Sequence, residues 1–171
     1  MKINATDEYG LRILMRIAQS DSEEGLSISQ LSETEGLSTS YVAKITRALR
    51  KHGLINSFRG HKGGYVLAYP ANKITVNDAI RALGGVLYNS SFCNNHSGNN
   101  RFCANSTECT LRSLWRVVQA SLDKILDQIT LADLLQPEID ASNKFRQMYE
   151  ESFSHTTHLK GLAIESPEVK H

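Results

Sequence analysis

Apolar residues recur with a helical period along most of this chain, and the polar residues between them mark starts and stops. Over residues 6–19, Leu11, Leu14, Met15 and Ala18 fall at i, i+3, i+4 and i+7, one face of a helix that the polar run 21–25 ends. Ser27 and Gln30 have the spacing of a capping box, and the short helix they open stops at Gly36. Ser38 is a second N-cap, and the helix behind it turns Val42, Ile45 and Leu49 inward until Gly53 closes it. Two helices joined by a tight glycine-containing turn predict a helix-turn-helix. Residues 54–58 and 65–68 have strand character, and between them lies Arg59-Gly60-His61-Lys62-Gly63-Gly64. This predicts a β-hairpin wing with cations at its tip.

Thr75 and Asp78 repeat the cap signature ahead of Val76, Ala79, Ile80 and Leu83, and Gly84-Gly85 closes that helix. Residues 89–110 then hold six Asn, four Ser and all three Cys. A segment that polar cannot bury itself, and at about 22 residues it exceeds an ordinary connection. A sustained stripe follows in Leu111, Leu114, Trp115, Val118, Leu122, Ile125, Leu126 and Ile129. So small a chain has little core against which to bury it, so pairing with the same helix of a second copy is expected. Past Leu135 the period fades, and Phe145, Met148, Tyr149 and Phe153 allow only a short helix in a polar tail. The pattern predicts a mainly α protein with a small β-hairpin wing. Its parts are a winged helix-turn-helix domain at 1–85, a cysteine-containing loop at 86–110, a dimerisation helix with a short following helix at 111–136, and a C-terminal extension at 137–171.

Length and composition narrow the class. A chain of 171 residues suits one domain, or one small domain with an extension. Its 40% hydrophobic and 22% charged residues exclude wholesale disorder. No apolar run approaches the roughly 18–20 residues that span a bilayer, and the first residues carry acids and no apolar stretch. A cytoplasmic protein without a membrane partner is expected.

The net charge of +1 conceals an asymmetry. Residues 36–77 carry seven Lys or Arg and no acid, leaving twelve basic and eighteen acidic residues elsewhere. A basic block within an acidic remainder points to a polyanionic partner. Thr39, Ser40, Tyr41, Lys44 and Arg47 lie at the N-terminal half of the second helix of the pair, where such a helix meets base edges in double-stranded DNA. Arg59, with Lys62, Gly63 and Gly64, would place the wing at the minor groove.

Cys93, Cys103 and Cys109 are separated by nine and five residues. An odd number of clustered thiols without an export signal argues against a disulfide framework and leaves metal binding, redox sensing or no special role. Thiolates hold iron–sulfur clusters or zinc, and a polar loop can fold around either. There is no Gly-rich phosphate loop, no nucleophile with a base at a fixed offset and no paired carboxylates in a pocket-forming context, so neither an enzyme nor a small-molecule substrate is expected.

Several motifs occur together in a particular order. They are Tyr9-Gly10-Leu11-Arg12, Leu37-Ser38-Thr39-Ser40-Tyr41, Leu49-Arg50-Lys51-His52-Gly53-Leu54-Ile55, the wing, the three-cysteine loop and Ile129-Thr130-Leu131-Ala132-Asp133-Leu134. In this arrangement the chain resembles the Rrf2 superfamily of winged-helix regulators over roughly residues 1–136, and most closely its iron–sulfur branch of IscR, NsrR and RirA relatives. The resemblance implies a homodimeric repressor of a palindromic operator, with a 2Fe-2S or 4Fe-4S cluster held by Cys93, Cys103 and Cys109. The branch differs in its fourth ligand. IscR relatives place a His three residues after the third cysteine, where this chain has Arg112. NsrR relatives use an acid of the partner subunit just before Tyr-Gly-Leu-Arg, a position held here by Glu8. Glu8 is therefore the expected fourth ligand, with Asp7 and His96 as alternatives. IscR relatives also carry a glutamate where this chain has Ala43, so their operator is not carried over. The alternative is a DNA-binding regulator whose cysteines act through zinc or as a thiol switch.

Overall fold

The computed structural model describes residues 4–22, 24–58, 63–89, 92–95 and 108–157. Helix α1 (Ala5–Ala18) starts where the Asn4 side chain accepts from the Thr6 amide at 2.9 Å. Helix α2 (Ile28–Glu35) opens with the full capping box: Ser27 accepts from the Gln30 amide, and the Gln30 side chain accepts from the Ser27 amide. It closes on Gly36 at φ 66°, a left-handed position that glycine reaches without steric cost. One residue further on, Ser38 caps helix α3 (Thr39–Lys51). The turn between α2 and α3 thus follows from two caps and one glycine.

Strands β1 (Ile55–Ser57) and β2 (Tyr65–Leu67) pair antiparallel, with Ile55 opposite Leu67 and Ser57 opposite Tyr65. Tyr65 also bridges to Leu26, which fastens the hairpin to the segment before α2. Helix α4 (Val76–Leu83) carries the Thr75–Asp78 capping box. Helices α5 (Phe92–Asn95), α6 (Thr110–Leu126) and α7 (Leu131–Leu134) follow. The core joins Ile13, Leu14 and Ile17 of α1 to Leu31, Val42, Ile45, Leu49, Ile55, Ile74, Ala79, Ala82 and Leu131. The arrangement is a winged helix-turn-helix followed by a long helix.

The buried face of α1 is rotated from the predicted one. Leu14 is buried, but Leu11, Met15 and Ala18 are only partly so, and the center of the face is Gly10, Ile13 and Ile17. Six apolar residues between 11 and 18 make the stripe wide, and α4 packs where glycine at position 10 allows close approach. On α4, Val76 and Ala79 are buried as predicted, with Asn77 and Ala82, whereas Ile80 and Leu83 are half-exposed.

Helix α6 buries none of its residues, and Leu111, Leu114, Trp115 and Val117 are exposed by 61%, 51%, 41% and 65%. Its far end returns to the body. The Val76 amide donates to Ile129, the Leu131 amide donates to Ile74, and Thr130 with Asp133 caps α7 while Leu131 enters the core. These contacts give the Ile129–Leu134 motif its structural reason.

The chain divides into two compact units, residues 1–135 and 136–171. The second contains a twenty-residue helix, α8 (Glu138–Thr157), where only a short one was expected. Its apolar residues are too sparse for a strong stripe. The helix is instead favoured by a stretch without Gly or Pro, by Glu138 and Asp140 in its first turn, and by a Gln147–Glu151 hydrogen bond of 2.8 Å.

Candidate nucleic-acid interface and cysteine site

Thr39 and Ser40 are exposed on the first turn of α3, and Lys44 and Arg47 are exposed on the turns behind it. Lys51, also exposed, continues the same row at i+7 from Lys44, so three cations share one face of the helix. Lys51 adds a third cation to the predicted pair, and its spacing from Lys44 is the signal for it. Tyr41 is half-buried: its ring meets Tyr9 edge-on at 6.0 Å, and its hydroxyl lies 3.1 Å from Thr6 Oγ1. At the far end Arg50 donates to Ser57 Oγ at 3.3 Å, joining α3 to the wing. Gly63 is half-buried, while Gly64 is buried where a Cβ would stand 2.7 Å from the Glu24 carbonyl oxygen. Gly64 therefore lets the wing strand lie against the backbone before α2. Arg59 and Lys62 lie outside the described residues.

The α1–α2 angle, on which α3 rests, is held by a buried carboxylate. The Glu35 side chain is 1% exposed and accepts from Arg12 Nε and Arg16 Nε, each at 2.7 Å. Burial raises its pKa, but the hydrogen bonds and charges of Arg16 and Arg12 outweigh that and hold it below the usual carboxylate range. Arg12 also lies over the Tyr9 ring, 5.5 Å from its centroid. The Tyr9–Arg12 motif is thus the near half of a clamp whose far half is 23 residues away.

Cys93 lies on α5 and Cys109 is the N-cap of α6; both are half-buried free thiols. The Arg112 amide donates to Cys109 Sγ at 3.4 Å, so this sulfur sits on the positive end of the α6 dipole. Cys93 Sγ lies 3.6 Å from the Tyr88 hydroxyl. The hydrogen bond to Cys93, loss of hydration and the negative charge of the Cys93 thiolate raise the Tyr88 pKa, against the opposing pull of Arg116 and Arg112. A helix N-terminus at one sulfur and a hydroxyl at the other suit ligands that become negatively charged, so these two sulfurs fit a thiolate-held group. Cys103 and His96 lie outside the described residues, and among the described residues no three His, Cys, Asp or Glu are gathered as a metal site.

Asp7 and Glu8 both line a cleft of about 490 Å³ with Leu11, Ile80, Gly85 and Leu122, but they face differently. Glu8 is exposed, whereas Asp7 is 8% exposed and packs on Gly85, where a Cβ would stand 2.3 Å from Asp7 Oδ1. That oxygen has no hydrogen-bond partner among the described residues. Burial raises the Asp7 pKa, and a backbone hydrogen bond from Asn4 opposes the shift.

An exposed row of cations on the second helix of a helix-turn-helix, beside a β-hairpin wing, defines a DNA-binding regulator of the winged-helix class. Residues 3–137 match the Rrf2 family, described as an iron-dependent transcriptional regulator, and the chain belongs to that family. It is 35% identical over 136 residues to protein rrf2 of Nitratidesulfovibrio vulgaris, covering 80% of this chain and 88% of that protein. Among solved structures, T. potens IscR is 33% identical with a TM-score of 0.59, over 79% of this chain and 86% of that one. CymR, the global cysteine regulator of B. subtilis, is 32% identical with a TM-score of 0.58, over 79% of this chain and 96% of that one. Among the described residues no helix is long and apolar enough to cross a membrane.

Proposed function

We propose that this Rrf2-family regulator is a homodimeric repressor whose affinity for a palindromic operator is set by an iron–sulfur cluster on Cys93, Cys103 and Cys109. The observation that carries the reading is the position of Cys109 as N-cap of α6. Whatever holds that sulfur acts on the first turn of the helix whose exposed Leu111, Leu114 and Trp115 would pair with a second copy. The spacing of two such copies sets the spacing of their α3 helices, and hence the fit to two operator half-sites.

Thr39, Ser40, Lys44 and Arg47 meet the major groove, joined by Lys51, while Arg59, Lys62 and Gly63 carry the wing to the backbone and minor groove. Glu8 serves as the fourth ligand from a second copy; its exposure supports it over Asp7, whose carboxylate is packed against Gly85. A bound cluster supplies a center that iron status, oxidants or nitric oxide can alter, and an oxygen ligand leaves one iron more exchangeable than a thiolate would.

Anaerobic purification followed by visible absorption, iron and sulfide analysis tests the reading. A coloured protein with stoichiometric iron and sulfide, lost in each single Cys→Ala variant and destabilised in Glu8→Ala, is the expected result. A colourless protein that still binds DNA would overturn it in favour of a zinc or thiol switch, a reading to which the likeness to CymR, a cysteine regulator, gives some support.

A further inference from the structure

Tyr88 stands out in the cysteine region because it is held at both ends. Its hydroxyl lies 3.6 Å from Cys93 Sγ, and its ring packs against Phe92 with centroids 5.9 Å apart. Its backbone amide donates to Gln119 Oε1 at 3.0 Å, in the middle of α6. From there the polar contacts continue inward. Gln119 Nε2 donates to Asp123 Oδ1 at 2.8 Å, and Asp123 Oδ2 accepts from Arg81 Nη2 of α4 at 2.7 Å. Asn77 of the same helix donates to Asp127 at 2.7 Å. The phenol beside Cys93 is thereby referenced to α6 and, through α6, to the helix that packs on α1 and α3.

We infer that Tyr88 is a positioning residue of the cysteine site: its hydroxyl donates a hydrogen bond to the Cys93 sulfur and fixes that ligand relative to α6 and α4. The inference rests on the reading of Cys93 as a cluster ligand. A metal-bound thiolate has no proton, so the O–H must be the donor and the sulfur the acceptor. A hydrogen bond to a ligand sulfur offsets the extra negative charge of the reduced cluster, so it raises the reduction potential. Outer partners of this kind also orient the ligand, and their loss weakens metal affinity by about tenfold or more.

Tyr88→Phe removes the hydroxyl and leaves the ring against Phe92. In anaerobically prepared holoprotein the variant is expected to show a lower midpoint potential than the native chain, while the two cluster-free proteins melt at the same temperature. A second readout does not need the cluster. In the Co(II)-substituted protein, Tyr88→Phe should bind cobalt about tenfold more weakly and move the thiolate-to-cobalt band to longer wavelength, because an unbonded sulfur gives up charge more easily. Gln119→Met, which removes the acceptor for the Tyr88 amide, should shift the potential in the same direction by a smaller amount. A native protein that loads a cluster, with potential and cobalt band unchanged in Tyr88→Phe, overturns the role of Tyr88 and leaves the cluster reading intact. A native protein that loads neither cluster nor cobalt overturns both.

Discussion

Replacing Glu35 with Gln keeps the side-chain volume and removes the charge that Arg12 and Arg16 share. In the native chain each guanidinium donates through Nε to a different oxygen at 2.7 Å, and the carboxylate has almost no other solvation at 1% exposure. A hydrogen bond to a charged group contributes about 1.5–3 kcal/mol. The two arginines are 44% and 47% exposed and rehydrate once released, so the pair falls well short of twice that value. A loss of about 2–3 kcal/mol is expected, which for a chain of this size lowers Tm by about 5–10 °C. The pH dependence follows from linkage. The folded-state pKa of Glu35 is lowered, so its contribution is present above the unfolded value and disappears as pH falls through the folded one. The gap between native and variant Tm should therefore be full at pH 7, begin to narrow as pH falls past the ordinary glutamate value of about 4.3, and close only below the lowered folded value. Thermal melts followed by circular dichroism across that range, at fixed protein concentration, measure it. A variant that melts with the native protein at pH 7, or a gap that widens on acidification, would refute the clamp.

Lys44→Ala and Arg47→Ala should each lower the slope of log affinity against log salt by about 0.9 on operator DNA, as one phosphate contact is lost. Salt slopes unchanged in both would remove α3 from the interface. Trp115→Asp places an unpaired charge on the apolar face of α6 and should raise the dimer dissociation constant by about a hundredfold or more. Sedimentation equilibrium showing an undisturbed dimer would mean that this face is not the contact. Gly85→Ala should lower Tm because its Cβ meets the Asp7 carboxylate, and Asp7→Ala in the same chain should recover part of the loss. Calorimetry that finds no coupling between the two changes would refute the packing described there.

The helix starts were legible because caps are local. Ser27 with Gln30, Ser38, and Thr75 with Asp78 announce themselves within one turn, and each makes its bond in the structure. Gly36 and the hairpin strands were legible for the same reason. What the sequence hid depends on distant partners. Glu35 looks like a helix-end acid until Arg12 and Arg16 close on it, and Asp7 looks like a helix-start acid until Gly85 covers it. Tyr88 carries no signal of its own, since nothing in residues 88–93 says that its hydroxyl meets the Cys93 sulfur. Helix α8 was underestimated because propensity without periodicity leaves little trace in a hydrophobic pattern. The row of Lys44, Arg47 and Lys51 was available from spacing alone, whereas the contacts of Tyr41 with Thr6 and Tyr9 were not.

The central claim is that the cysteine site governs DNA affinity. Its most direct test is fluorescence anisotropy with a duplex selected from a random pool by the anaerobic protein, titrated with that protein before and after removal of iron by a chelator. The account predicts a shift in dissociation constant of about 5- to 150-fold between the two forms, the range of ordinary coupling free energies. It also predicts that Cys109→Ala binds like the stripped form in both titrations. Equal affinities for the loaded and stripped protein would contradict it.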